Sequence, residues 1–594
     1  MTAASSSGTF LFVLHAHMPY VLNHGRDPHG SQWLCEAAAH SYLPLLGVLW
    51  RLAAEGISPR LTVGLSPVLC EQLASAQFHK ELAAFLETRL LTCQQNRSEF
   101  RAQGQREREP LVDFWEAFYQ ERWTQFGRYG GDLLAQFQGL EEEGHLELIT
   151  CGATHGYLPL LSRDETVALQ LDQAMATHRR HFGRTPRGIW LPECAYRPRY
   201  EWSPPVRGSG AGERGRLRAV RPGLEEHLAA RGLNYFFADT HMVTGGASHS
   251  YYHELYPVLE RLHTGDEHEI LRRQECTPYD SYWVASPGGT GRAAVFARDQ
   301  RLSVQVWSRE LGYPGDGAYL DFHKQHLPGG LKYWRVTHPK APLEEKETYD
   351  PREAQAQTRI HAEQFCDLVA GILRRQQERR GAQGPPILCA SYDMELYGHW
   401  WFEGPQWVYH MSKALHRAGV TVRSCSEQLS MQPPHRTITL LEGSWGEGGD
   451  HRVWLNKDTE WIWERLYEVE TEAWALRDAV AALSPEGNGA RRALDRLVAQ
   501  AFRSFLLLCA SDWQFQITTQ SARDYAEMRF ARHYSEFKRL AQLARDVMAG
   551  DQLTAEDEGF LARKEAQDFL FPALALPGCS PGASGDAKPS LAGV

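Results

Sequence analysis

The sequence predicts an α/β barrel followed by a domain built of helices alone. Three observations carry that prediction. Short apolar runs alternate with longer helical patterns through the first 420 residues, as parallel βα units do. The runs number about seven, more than a small open sheet uses and enough for a barrel that need not close. Beyond residue 420 the apolar runs stop and long helical stretches follow one another.

The strand candidates, in order, are TFLFVL at 9–14, LTVGL at 61–65, LELIT at 146–150, GIWLP at 188–192 and NYFFAD at 234–239. AAVFA at 293–297 and ILCAS at 387–391 complete the set. Helical patterns at 33–54, 164–181 and 351–380 separate several of them. The charged stretch 97–143 reads as a helical insertion, and the Gly- and Arg-rich stretch 204–220 as a surface loop. Three helices are expected at 459–482, 487–510 and 521–549. Residues 1–420 are thus assigned to the barrel, 421–556 to the helical domain and 557–594 to a tail, disordered from about Pro577.

Composition narrows the function. The 594 residues are 43% hydrophobic and 23% charged, as in ordinary globular chains. The net charge of −10 argues against nucleic acid, which selects basic surfaces. No apolar stretch approaches the roughly 20 residues of a membrane span. The N-terminus lacks the basic and apolar regions of a signal peptide. The 11 cysteines are scattered without a C-x-x-C pair, which points to a reduced, cytoplasmic protein. The 18 tryptophans and 23 tyrosines suit stacking on sugar faces, and equally suit packing inside a core.

Catalytic residues of a parallel barrel lie just past the C-terminal ends of its strands. The first strand runs into His15, His17, Pro19 and Tyr20, and the third into His155 and Tyr157. The fourth runs into Glu193, and the last into Asp393 and Glu395. Any one of these could be a satisfied core histidine or a helix cap; four in one register point to a site. Glu193 and Asp393, with Trp400 and Trp401 downstream, are the pair that glycosidic chemistry needs: one carboxylate at the anomeric carbon, the other protonating the leaving oxygen. Glu395 competes with Asp393, because two residues on along an extended segment it faces the same side. A second reading lets the histidines bind a divalent metal, as in sugar deacetylases. No H-E-x-x-H or dense Asp/His motif accompanies them, and neutral histidines bonding sugar hydroxyls explain the same residues.

Longer motifs resemble glycoside hydrolase family 57, and within it the 1,4-α-glucan branching enzymes. They are HAHMPYV at 15–21, GHLELITCGATHGYLPLL at 144–161, GIWLPECAYRP at 188–198 and YDMELYGHWWFEGP at 392–405. QVWSRELGYPGDGAYLDFHK at 305–324, EKETYDP at 345–351, EGSWGEGGDHRVWLN at 442–456 and SDWQFQITTQSARDYAEMRF at 511–530 extend the likeness over about residues 9–549. The resemblance implies an incomplete (β/α)7 TIM-like barrel followed by an all-helical C-terminal domain that completes the cleft. It implies Glu193 as nucleophile and Asp393 as general acid/base, with His15, His17 and His155 around the donor sugar. Trp33, Trp283, Trp445 and Trp454 are the implied aromatic walls of the glucan cleft; Trp400, Trp401 and Asp512 are counted with the substrate-binding residues. A loop tyrosine falls on Tyr251 or Tyr252, two adjacent candidates in HMVTGGASHSYYHELYP at 241–257. Neither a metal nor an organic cofactor is implied. The expected partners are α-1,4-glucan donor and acceptor chains, and a monomer is expected.

Overall fold

The computed structural model describes residues 8–206, 219–245, 256, 258–259, 276–381, 383–483, 488–574 and 576. Its strands are β1 (Thr9–Ala16), β2 (Leu61–Leu65), β3 (Leu146–Cys151), β4 (Ile189–Trp190), β5 (Tyr200–Trp202) and β6 (Ala219–Arg221). They continue with β7 (Tyr235–Ala238), β8 (Ser281–Val284), β9 (Ala293–Ala297), β10 (Ile387–Asp393), β11 (Thr421–Val422) and β12 (Thr437–Ile438).

Five parallel strands run in the order β10-β1-β2-β3-β4, and β7 pairs parallel with β9. Single bridges join these two groups, Gly188 with Tyr235 on one side and Arg298 with Cys389 on the other. The result is a seven-stranded ring whose two seams hold by one bridge each, an incomplete barrel. Every residue of β1, β2, β7 and β9 is buried. That follows from their unbroken apolar runs, which must be covered on both faces.

The seven expected strands are all present, β2 and β9 with the expected ends and the other five with one or both ends shifted. The fourth pairs only over Ile189–Trp190, because Pro192 has no N–H for a ladder and a short turn, Pro192–Cys194, begins there. Four further short pairings escape an apolar-run search. β8 lies antiparallel on β9, β5 pairs with β6, β11 adds to β1 and β12 adds to β8. The chain beyond 420 therefore returns twice to the barrel before becoming helical. The helical stretch between β2 and β3 begins with Pro67–Leu73 and continues through Ala76–Ala102, Glu109–Arg128 and Leu133–Glu142, so it starts well before the expected 97–143. Of the expected loop 204–220, residues 207–218 lie outside the described residues.

The C-terminal helices are Glu460–Ala481, Asn488–Leu508, Asp512–Thr519, Arg523–Ala549 and Ala555–Gln567. The break before Asp512 meets the barrel: Gly156 bridges Ala510, and Ser511 N donates to His155 O at 3.0 Å. The last helix falls where the sequence reading places a tail. Thr554 caps it, and the residues after it dock on the body of the protein. Arg503 donates to the carbonyl of Leu570, and buried His24 meets buried Asp568 at 2.5 Å. Residues from Pro577 on lie outside the described residues. Among the described residues, no helix is long and apolar enough to cross a membrane.

Candidate active site

Strand register brings the barrel-end residues together. His15 is the β1 partner of Asp393 on β10 and of Gly64 on β2. A Cβ at Gly64 would stand 3.1 Å from His15 Nδ1, so glycine leaves the ring its room. The flat rings then form a pile: Trp190 on His15 at 5.0 Å, His15 on His155 at 5.3 Å and His155 on His17 at 3.8 Å, each within 17° of parallel. Burial and neighbouring imidazoles hold His15 and His155 well below the usual histidine range, so both are neutral.

Glu193 follows β4 in a left-handed conformation, φ 62° and ψ 22°, and Cys194 beside it has φ 49°. Side chains with a Cβ rarely adopt that region, and such residues persist where surrounding bonds over-determine them. Cys194 N donates to Leu191 O, Ala195 N to Pro192 O and Trp445 N to Glu193 O. The carboxylate is held at both oxygens. Trp445 Nε1 donates to Oε2 at 2.9 Å, and Ser511 Oγ donates to Oε1 at 2.8 Å. Burial still pushes the group up to about 7 against the pull of these two donors.

The two acids after β10 differ sharply. Glu395 Oε1 accepts from His17 N at 3.0 Å and from Tyr42 Oη at 2.5 Å. It is a fixed anchor, pushed up to about 7 by burial. Asp393 accepts no side-chain hydrogen bond from the described residues. Burial, then Glu395 and Glu193, push it well above the usual carboxylate range. A buried carboxyl whose charged form is disfavoured, facing a carboxylate held at both oxygens, is a pairing that acid–nucleophile chemistry can use.

The helical domain supplies the rest. His17 Nε2 meets Asp512 Oδ2 at 2.9 Å, while its Nδ1 meets Ser66 Oγ at 2.9 Å. Trp445 packs at 5.1 Å from Trp190 and 6.4 Å from Trp307, which is itself 6.0 Å from Trp400. Arg298 lies over Trp445 and pairs with Asp239. Tyr256 packs on Phe515 at 5.5 Å and feels the charge of Asp393.

These placements correct several expectations. Trp454 is fully buried and stacks on Tyr157 at 4.6 Å, so it joins the helical domain to the barrel and has no face for a sugar. Trp401 is 1% exposed and packs among Tyr319, Tyr397 and Trp407. Trp283 lies on β8 level with Ala294 and Tyr235, at the N-terminal end of β9 and β7, away from the catalytic end. Trp33 is half-buried, edge-on to His29. Tyr251 and Tyr252 lie outside the described residues. Trp307 and Ser511 reach the site without having been expected there. Trp307 stands in the quoted motif QVWS, but at the end of the helix Gln300–Trp307, ten residues past the end of β9, so a search of strand ends passes over it.

His17, His155 and Asp512 cluster closely enough to hold an ion, as do His15, Cys151 and His155. The donor set is already used: both ring nitrogens of His17 and of His155 have protein partners. A metal would have to break that network.

Residues 11–440 match glycosyl hydrolase family 57. The chain belongs to that family. Residues 474–576 also match the family described as 1,4-alpha-glucan branching enzyme, C-terminal. Among family 57 relatives, a 1,4-alpha-glucan branching enzyme of Thermococcus kodakarensis is 36% identical over 546 residues, 92% of this chain and 75% of its own length. The crystal structure of that organism's family 57 branching enzyme superposes with a TM-score of 0.84 at 35% identity, covering 97% of each chain. An alpha-amylase of Thermotoga maritima superposes at 0.73 with 26% identity, covering 95% of this chain and 97% of its own.

Proposed function

We propose that this family 57 protein is a 1,4-α-glucan branching enzyme that works by a retaining double displacement. The observation that carries the chemistry is the pair formed by Glu193, clamped at both oxygens, and Asp393, whose charged form burial and the neighbouring carboxylates disfavour. The two closest-matched functions among the relatives described above are branching and hydrolysis. The match of residues 474–576 to a branching-enzyme C-terminal family favours branching.

In the first step Glu193 attacks the anomeric carbon of an α-1,4-glucan. The C1–O4 bond breaks, and Asp393 gives its proton to the departing O4. The product is a β-linked glycosyl ester on Glu193. In the second step a 6-hydroxyl of an acceptor chain attacks the same carbon. Its proton passes to Asp393, the ester bond breaks, and an α-1,6 linkage forms with Glu193 ionised again. Water competes at about 55 M, so transfer requires the acceptor to be held in place, which can be worth orders of magnitude in effective molarity. The rings of Trp307 beside Trp445, of Trp400 beside Trp307, and of Tyr256, which feels the charge of Asp393, are the means available. Neither step calls for a metal or a cofactor. The reading extends to a monomer in the cytoplasm serving glycogen-type synthesis; the ten described cysteines, all unpaired, suit a reducing compartment.

The test is incubation with amylose, followed by proton NMR of anomeric signals and debranching of the product. New α-1,6 signals in excess of new reducing ends are expected, and Glu193→Gln is expected to abolish both. Reducing ends without α-1,6 linkages would make the protein a hydrolase like the Thermotoga relative.

A further inference from the structure

We propose that Ser511 is a positioning residue for Glu193, the last member of a one-way hydrogen-bond chain that runs His15, His155, Ser511, Glu193. The inference rests on the reading of Glu193 as nucleophile.

The polarity of the chain follows from donor counting. An ionised Glu193 can only accept, so the single hydroxyl proton of Ser511 points at Oε1, 2.8 Å away. Ser511 Oγ must then accept from His155 Nδ1, 2.9 Å away, which fixes the Nδ1–H tautomer of His155. Its Nε2 is left with a lone pair, 3.1 Å from His15 Nε2, so His15 donates from Nε2. His15 Nδ1 therefore carries a bare lone pair. It is buried and has no hydrogen-bond partner, as the end of a directed chain must be. His155 Nδ1 and Glu193 Oε1 are 3.7 Å apart, too far for a direct bond, so the serine is the bridge.

Ser511 is held for this task. It is fully buried, its backbone N donates to His155 O, and Phe515 N of the following helix donates to its carbonyl. The hydroxyl thus approaches Glu193 from the helical domain while Trp445 approaches from the other oxygen. Two donors on two oxygens leave the carboxylate no free rotation.

Several other groups face Glu193. Asp512 and His17 act on it from the helix Asp512–Thr519 and the end of β1, and Asp393 faces it from β10. The thiols of Cys151 and Cys194 and the phenol of Tyr157 are pushed up by burial and stay neutral. None of these is altered by removing one hydroxyl at position 511.

The test compares Ser511→Ala with Ser511→Thr in the full chain, reading kcat/KM against pH with amylose. Loss of a donor to the ionised form raises the pKa of Glu193. The acidic limb of the Ala variant should therefore move to higher pH by about one unit, with a roughly tenfold loss on that limb and recovery at higher pH. The Thr variant, which keeps a hydroxyl, should return the limb towards the parent position. An Ala variant with an unshifted limb, whether its melting temperature falls or not, overturns the proposal. Glu193→Gln in the same series separates the two claims. If it is inactive while Ser511→Ala is unshifted, the nucleophile stands and the serine falls. If it is active, the nucleophile itself is wrong.

Discussion

Replacing Asp393 by Asn and, separately, Glu395 by Gln decides which carboxyl is the acid. Asn cannot supply the proton that the departing O4 requires. General acid catalysis contributes roughly 10²–10⁴-fold, or about 3–5 kcal/mol at 1.36 kcal/mol per decade. A loss of that size is expected for Asp393→Asn on amylose. With α-glucosyl fluoride, whose leaving group needs little help, the first step should recover most of it. Glu395→Gln is a milder change, because both donors on Glu395 bind one oxygen and the amide keeps a carbonyl to receive them. Its effect is electrostatic. Glu395 helps to push Asp393 up, so neutralising it lowers the pKa of Asp393. Asp393 must be protonated to act, and activity is lost as pH rises through its pKa. The basic limb of the profile should therefore move to lower pH in Glu395→Gln, with less than about a tenfold loss at the optimum. The acidic limb reports Glu193, which must be ionised, and should lie near 7 and stay there. The assay is kcat/KM against pH on both substrates. Leaving-group dependence that appears in Glu395→Gln and not in Asp393→Asn would refute the assignment.

Three further outcomes are expected. Trp445→Phe keeps the ring beside Trp190 but loses the indole N–H on Glu193 Oε2, so kcat/KM should fall roughly 10- to 150-fold with little change in melting temperature; Trp454→Ala, in contrast, should cost about 3–5 kcal/mol of stability and leave the ratio of branching to hydrolysis unchanged. Exhaustive EDTA treatment should leave activity intact, checked by rate assays with and without added zinc or manganese; an apo-protein revived by either ion would return His17, His155 and Asp512 to the role of ligands.

What sequence made legible was governed by strand ends. His15, His155, Glu193 and Asp393 each follow an apolar run, and a parallel barrel carries all such positions to one face. Tryptophan was harder to read, because an indole looks the same in a sequence whether it faces a sugar or a core. Trp454 and Trp401 are buried, and Trp283 sits at the wrong end of its strand, since β8 runs antiparallel and strand direction is invisible in composition. Ser511 opens the quoted motif SDWQFQITTQ, but a serine there reads like any other; its meaning comes from the helix break that sets it against His155. The segment after 556 is short and charged, and contacts such as the buried pairing of His24 with Asp568 and the bond from Tyr20 to Gln567 O show that it is folded onto the barrel.

The nucleophile and the hydroxyl that aims it are 318 residues apart in the chain. A ribosome adds about 5–20 residues per second, so roughly 15–65 s separate their emergence. Throughout that interval the nascent chain owns Glu193 without Ser511, and for most of it without Trp445, the other donor. A polypeptide stalled or clipped before residue 511 is in the same condition. Order of synthesis thus withholds both donors to Glu193 until the segments that carry them exist.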